Sequence, residues 1–509
     1  MARKNRIEEL QSLLENLRRS EKTIVKSYFK ALQSSGVKGY AYMSELVEYV
    51  DQGKGTEESD VLKAIGFESK RETDQGLFLK NVRDLILDFL SHEINTERIG
   101  NLTYREKGKI FAAKRLNQAK TLYSRGVKEL AQTLFEEVLG RATREEHFRE
   151  AADACRNLLL IYGAGGKTRT YHRLQEDLKD LLLAAECYEA IQDAFLDHSL
   201  VVGTNAEIEA ESIQLALETV RKAQQSRETH FGRYMELLLS TRKFQLEDLV
   251  ERAVTSAEAL LHLIRTETVL YTKQREGDTL MTLSELEAAR GDYAKARAYI
   301  EEAQPFFKLN SVEMTQIRER LAILALHMGD YKFAATYLKK QLKSTVFDNI
   351  PFAKSKLRYL EVAAVAGLGK TKTSADALSA IAVDATTSAD VRYHAALSAY
   401  LVSLGSDVPT KAVAKKMRKK MAALLESFSD AEEMALNKRQ KSIIRIVHGL
   451  EQHELHFTEV YQLKKTQIDR LGTRGGEYGW NPIGLEIQPF HKWYQAQMRA
   501  QKAAAPASV

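Results

Sequence analysis

An all-α protein of helix–turn–helix repeats behind a small helical N-terminal domain is what the sequence predicts, on three observations. Only six prolines occur in 509 residues, and Pro482, Pro489 and Pro506 fall near the end. Because proline costs about 3 kcal/mol inside a helix, the chain before residue 480 is free to run as continuous helices and turns. Apolar residues recur three and four positions apart, the spacing that puts them on one helical stripe. Glycine-centred turns return along the chain with constant offsets to the residues that follow them.

In chain order, Ile7, Leu10, Leu13, Leu14 and Leu17 form one stripe and Ile24, Val25, Tyr28, Phe29 and Leu32 the next, with Ser20 and Glu21 as a cap between two helices. A turn at Gly36 and Gly39 precedes a short helix near Ser44–Val50. A polar loop (51–59) follows, then a longer helix carrying Leu79, Val82, Leu85, Ile86, Phe89 and Leu90. Residues 1–100 therefore read as a small helical domain, with 101–400 as the repeat array.

Three repeat units align. Gly126 is followed by Ala131, Phe135 and Val138; Gly291 by Tyr293, Ala296, Ile300 and Ala303; Gly329 by Tyr331, Ala334, Leu338 and Gln341. Glycine permits the tight turn, tyrosine plugs the space behind it, the small alanine lets two helices cross closely, and the bulky residue four positions on fills the core. Weaker echoes near Gly165, Gly203, Arg242 and Gly369 put most neighbouring turns about 38 to 40 residues apart. Thr143 with Glu146, Asn310 with Glu313 and Ser429 with Glu432 read as helix-start caps. Residues 401–471 continue as basic helical repeats. Residues 472–509, with Trp480, Trp493 and a cluster of glycines, read as an irregular hook and short tail that folds back over the last repeat.

These residue types at these offsets resemble the tetratricopeptide repeat, best in the two Gly-Asp-Tyr units and partially at Gly126, where Lys128 stands in the tyrosine position. The spacing is longer than that family's 34 residues. The resemblance implies an α-solenoid whose first helices line a concave groove. Counted back from the three turns, it sets Lys120 and Tyr123, Asp278 and Glu285, and Gln316 and Glu319 toward that groove. The segments RRSEKTIVKSYFKAL, FLKNVRDLILDFLSH and LYSRGVKELAQTLFEEV are also similar, in that order, to a group of helical-repeat proteins found in Bacteroidota. That likeness covers the first third, implies a shared architecture and supplies no activity.

Composition excludes extremes. Hydrophobic residues at 44% and charged residues at 28% are ordinary globular values, and a net charge of +6 on this length is mild. The N-terminus places charges where a signal peptide needs an apolar core, and no run of about 18 apolar residues occurs, so the expectation is a cytoplasmic protein with no membrane segment. Cys155 and Cys187 sit inside apolar helical patterns and read as inert core thiols.

Candidate chemistry is thin. GAGGKTRT (163–170) and GLGKTKT (367–373) suggest phosphate loops, but the glycine required five positions before the Gly-Lys pair is Ile161 or Ala364, and helices precede both. His453, Glu454 and His456 lie one residue short of the zincin spacing. With no nucleophile, acid–base pair or metal set standing out, no cofactor and no enzymatic activity are expected. Lys411, Lys415, Lys416, Arg418, Lys419 and Lys420 cluster, followed by Lys438, Arg439, Lys441 and Arg445.

The favoured function is a protein-interaction scaffold that binds a peptide or helix of another protein. The alternative is a nucleic-acid-linked regulator using this basic face together with Arg18, Arg19, Lys22, Lys26 and Lys30 of the N-terminal helices. A peptide-sensing regulator is a third reading, supported by domain order alone. The sequence leaves the oligomeric state open.

Overall fold

The computed structural model describes residues 6–15, 19–34, 38–53, 57–68, 70–93, 103–202, 206–343, 351–404, 411–430, 436–472 and 478–504. Among them every regular element is a helix. The chain forms two compact units, Met1–Leu181 and Leu182–Val509.

The first unit begins with α1 (Arg6–Glu15), α2 (Arg19–Gln33), α3 (Lys38–Asp51), α4 (Glu58–Ala64) and α5 (Glu72–Glu93). Ile7, Leu10, Phe29, Leu46, Val61, Val82 and Ile86 close one core among them. Three expectations are corrected. The short helix starts earlier, so Gly39 lies inside α3 rather than in a turn. The polar loop gives way to α4, too short for its period to show. Ser20 lies within α2 instead of capping it, while Gly36 is outside the described residues. The same unit continues with α6 (Tyr104–Ser124), α7 (Lys128–Arg144), α8 (Phe148–Ala164) and α9 (Thr168–Ser199), the last crossing into the second unit. Thr103 opens α6 with a reciprocal capping box to Glu106.

The second unit stacks α10 (Ala206–Ser226), α11 (His230–Leu246), α12 (Val250–Thr266), α13 (Lys273–Arg290), α14 (Tyr293–Ala303), α15 (Val312–His327) and α16 (Tyr331–Leu342). It continues with α17 (Pro351–Gly367), α18 (Thr371–Val383), α19 (Ala389–Val402), α20 (Lys411–Asp430), α21 (Lys438–Gln452), α22 (Phe457–Arg470) and, after an irregular strap, α23 (Phe490–Ala504). Consecutive helices pack pairwise, and α15 with α17, and α17 with α19, also touch as alternate neighbours. The repeat residues sit where their types require: Ala296, Ile300, Ala303, Ala334 and Leu338 are fully buried. A Cβ on Gly367 would overlap the Tyr331 ring, so the tyrosine fills the space that glycine leaves at the next unit.

The turns share one geometry. At Gly329 (φ 74°) the Gly329 amide donates to Leu326 O and the Asp330 amide to Ala325 O, the paired bonds that close a helix C-terminus through a left-handed residue. The same pair closes α7 at Glu146 and α11 at Asp248, both with φ 57° and neither a glycine. Arg242 is therefore not a turn: it lies within α11, with its Nε 2.7 Å from the buried Glu209 carboxylate. Near Gly165 the left-handed position is taken by Gly166, and Gly203 lies outside the described residues.

The proposed caps shift as well. Thr143 ends α7, its hydroxyl donating to Leu139 O, because the left-handed turn at Glu146 leaves no room to start a helix there. Ser311 rather than Asn310 caps α15. Asn437 caps α21 in a capping box with Gln440, while Ser429 remains inside α20 and Glu432 is outside the described residues.

Candidate interaction face of the helical repeats

Along the second unit the first helices of successive pairs, α13, α15, α17, α19 and α21, are tied to one another side by side. Arg320 of α15 pairs with Glu285 of α13. Lys356 of α17 lies 3.3 Å from Glu319 of α15. The Tyr359 and Ser398 hydroxyls join α17 to α19 at 2.9 Å. Tyr400 of α19 donates to Glu451 of α21, which Arg418 of α20 also grips at 2.6 Å. One polar rung per helix pair fixes the register of this face while the apolar sides of the same helices enter the core.

The residues expected to face a groove divide accordingly. Glu285 and Glu319 are rungs of this ladder. Asp278 is exposed and accepts from Gln274 one turn earlier on α13, and Gln316 is exposed on α15. In the first unit, Lys120 of α6 pairs with Asp153 of α8 at 2.5 Å, and Tyr123 is half-buried in the last turn of α6.

Across the ladder lies a segment that periodicity could not place. The strap, residues 478–489, meets α21 in its first turn, α17 at mid-helix and α15 in its last turn. It does more than cover the final repeat. Arg439, the second residue of α21, is buried and holds Glu486 through two bonds of 2.7 Å. It also donates to Tyr478 O and Leu471 O. Tyr359 donates to Leu485 O at 2.9 Å, and burial pushes its phenol well above the usual tyrosine range. Trp480 donates to Glu486 O and sets its ring edge-on to His327, which in turn stacks on Tyr293 of α14. Ile483 packs against the cluster of α12–α15.

Beyond the strap, Trp493 and Tyr494 of α23 pack on Phe457, Phe490 packs on Trp493, and Tyr494 donates to Phe457 O. Burial lowers His327, against the strap, and His491, behind Arg439, from 6.5 to about 4. Beneath the strap remains a cavity of about 500 Å³ lined by Tyr293, Tyr331, Leu397 and Val402 of the repeats together with Ile487 and Lys492.

The basic cluster divides between solvent and core, with Lys438, Lys441 and Arg445 of α21 exposed. Lys415, Lys416, Lys419 and Lys420 are exposed on α20. Arg418 and Arg439 face inward onto Glu451 and Glu486. The Lys411 side chain lies outside the described residues. In the N-terminal helices Lys22 and Lys26 both grip Asp51, drawing its carboxyl below the usual range, and Lys30 pairs with Glu48, while Arg18 is outside the described residues. Both cysteines are buried; desolvation pushes Cys155 up to about 11, and its thiol lies against Leu174 O. No cluster of three His, Cys, Asp or Glu fit for a metal occurs among the described residues. Among them also, no helix is long and apolar enough to cross a membrane.

No family model matches the chain, and no curated protein does. Among solved structures, 25 chains match. One is a signal transduction ATPase with numerous domains, carrying a tetratricopeptide repeat sensor, from Pyrococcus horikoshii: identity is 14% and the TM-score 0.28, with 90% of this chain and 66% of that one covered. The chain thus spans just under two thirds of that protein's length, and a likeness of this degree carries no argument about activity. On its own elements, the chain is an all-helical protein of stacked helix–turn–helix repeats, tetratricopeptide-like in its turns and in the residues that pack behind them.

Proposed function

We propose that this chain is a protein-interaction scaffold, a binding protein rather than a catalyst, and that the face formed by α13–α21 is a groove for a peptide or helix of another protein. The observation that carries the reading is the strap: an irregular stretch of chain lies across the first helices and is held by side chains that recognise its carbonyls and its carboxylate. A surface that does this for one peptide has the geometry to do it for another. Asp278 and Gln316, exposed on the same helices, supply the rim. The expected setting is the cytoplasm. The likeness to Bacteroidota repeat proteins fits such a role without specifying a pathway, and peptide sensing is a form of it.

A second reading rests on the four exposed lysines of α20, which present charge suited to phosphates. Replacing Gln316 with a photo-crosslinking amino acid in the tagged full chain, and purifying it from its native cells at low and high salt, separates the two. A discrete protein adduct that survives high salt is expected. Nucleic acid lost at high salt, with no protein adduct, would overturn the scaffold reading in favour of the lysine face.

A further inference from the structure

We infer that the strap is a resident ligand of this groove, displaced by a partner peptide that carries the strap's own recognition elements: an aromatic ring, aliphatic side chains and a carboxylate, in the order of Trp480, Ile483, Leu485 and Glu486. The inference rests on the proposed groove and adds the chemistry of its occupant.

Three observations lead to it. The first is charge. The Arg439 side chain is 6% exposed and its carboxylate partner belongs to the strap. If the strap leaves, the guanidinium loses its carboxylate and the Tyr478 carbonyl together, and a replacement that brings an anion of carboxylate geometry restores the two-pronged pair. The second is the backbone. Tyr359 and Arg439 donate to the carbonyls of Leu485 and Tyr478, backbone contacts that a peptide adopting the same turn between them reproduces whatever its side chains. The third is incomplete filling. The pocket between the strap and the helices keeps about 500 Å³ between Tyr293, Tyr331 and Leu397. A peptide with a larger side chain at this point gains packing contacts that the strap forgoes.

The strap runs directly into α23, which is anchored in turn by Trp493 and Tyr494 on Phe457. It therefore competes as an intramolecular ligand and lowers the partner's apparent affinity by the fraction of open groove.

The test uses the full chain and a labelled synthetic peptide of residues 478–489. The variant W480A/I483A removes the strap's ring and aliphatic anchor and leaves the groove's own hydrogen-bonding groups in place. Fluorescence anisotropy is expected to show this variant binding the peptide at least tenfold more tightly than the unaltered chain. Glu486→Gln within the peptide is expected to weaken that binding at least tenfold.

A variant with unchanged circular dichroism that binds the peptide no better overturns the inference. So does dimerisation of the variant without peptide binding, which would mean that straps exchange between copies. Should the variant fail to fold, hydrogen exchange on the unaltered chain decides: millimolar peptide is expected to strip protection from the strap and leave α23 protected, and unchanged strap protection overturns the inference. If the Gln316 crosslink captures a protein while these arms fail, the groove stands and its resident-ligand character falls.

Discussion

The left-handed residues at the helix turns test how much of this fold is backbone conformation and how much is space. A Cβ added at Gly329 meets no atom within 4 Å, yet φ is 74°. Gly329→Ala should therefore cost about 1–2 kcal/mol through the left-handed penalty alone, read as a lower urea midpoint with an unchanged slope. Gly277 is the opposite case: a Cβ there would come within 2.6 Å of Phe307 Cζ, so space is what its glycine supplies.

The two depressed histidines set a pH dependence with a definite sign. His327 and His491 stay neutral in the fold down to about 4, whereas the unfolded chain protonates them from about 6.5. Their contribution is full above pH 6.5 and is lost as pH falls from there toward 4, because the unfolded state then binds more protons. Between pH 7 and 5, urea midpoints of the second unit should fall by the equivalent of on the order of 1 kcal/mol for His327, and His327→Gln should flatten that slope.

At the scale of elements, the buried Arg439–Glu486 pair is what couples the strap to the helices. Arg439→Ala leaves the buried carboxylate with the Phe490 amide alone and takes the arginine donor from the carbonyls of Leu471 and Tyr478, and should destabilise the second unit by about 3–5 kcal/mol in denaturant unfolding. An effect below 1 kcal/mol would show that water reaches this pair.

Legibility in the sequence followed the same physics. The Gly-Asp-Tyr units were readable because glycine, tyrosine and alanine each solve a local steric problem at a fixed offset. The turns at Glu146 and Asp248 were not, since a carboxylate residue in the left-handed region leaves no compositional trace. The apolar face of α4 is too short to show a period. Glu285 and Glu319 could be placed by counting along the repeat, but their pairing with Arg320 and Lys356 depends on how neighbouring helices register, which no single helix encodes. The strap's path was hidden for a related reason: an irregular segment has no period, and its partners Tyr359 and Arg439 stand 126 and 47 residues from the groups they hold.

For the whole molecule, division into two compact units predicts unfolding in more than one step. Phe135 is fully buried in the first unit, and Phe135→Ala should cost about 3–5 kcal/mol there. Hydrogen exchange should then show the amides of α6–α8 losing protection while those of α17–α21 keep theirs. A uniform loss across both units would show that the molecule unfolds as one.

The order in which the polypeptide is made gives the strap a further property. Arg439 precedes Glu486 by 47 residues, and at about 5–20 residues per second a ribosome takes a few seconds to cover that distance. Through that interval the nascent helices present their guanidinium and polar rungs with no strap yet available to cover them. On the proposed reading of the strap as a resident ligand, a partner already at hand during translation would meet an unoccupied groove, whereas one arriving later would have to compete. Co-translational capture and post-translational exchange would then be two separate routes to the same complex, set apart by the position of one glutamate along the chain.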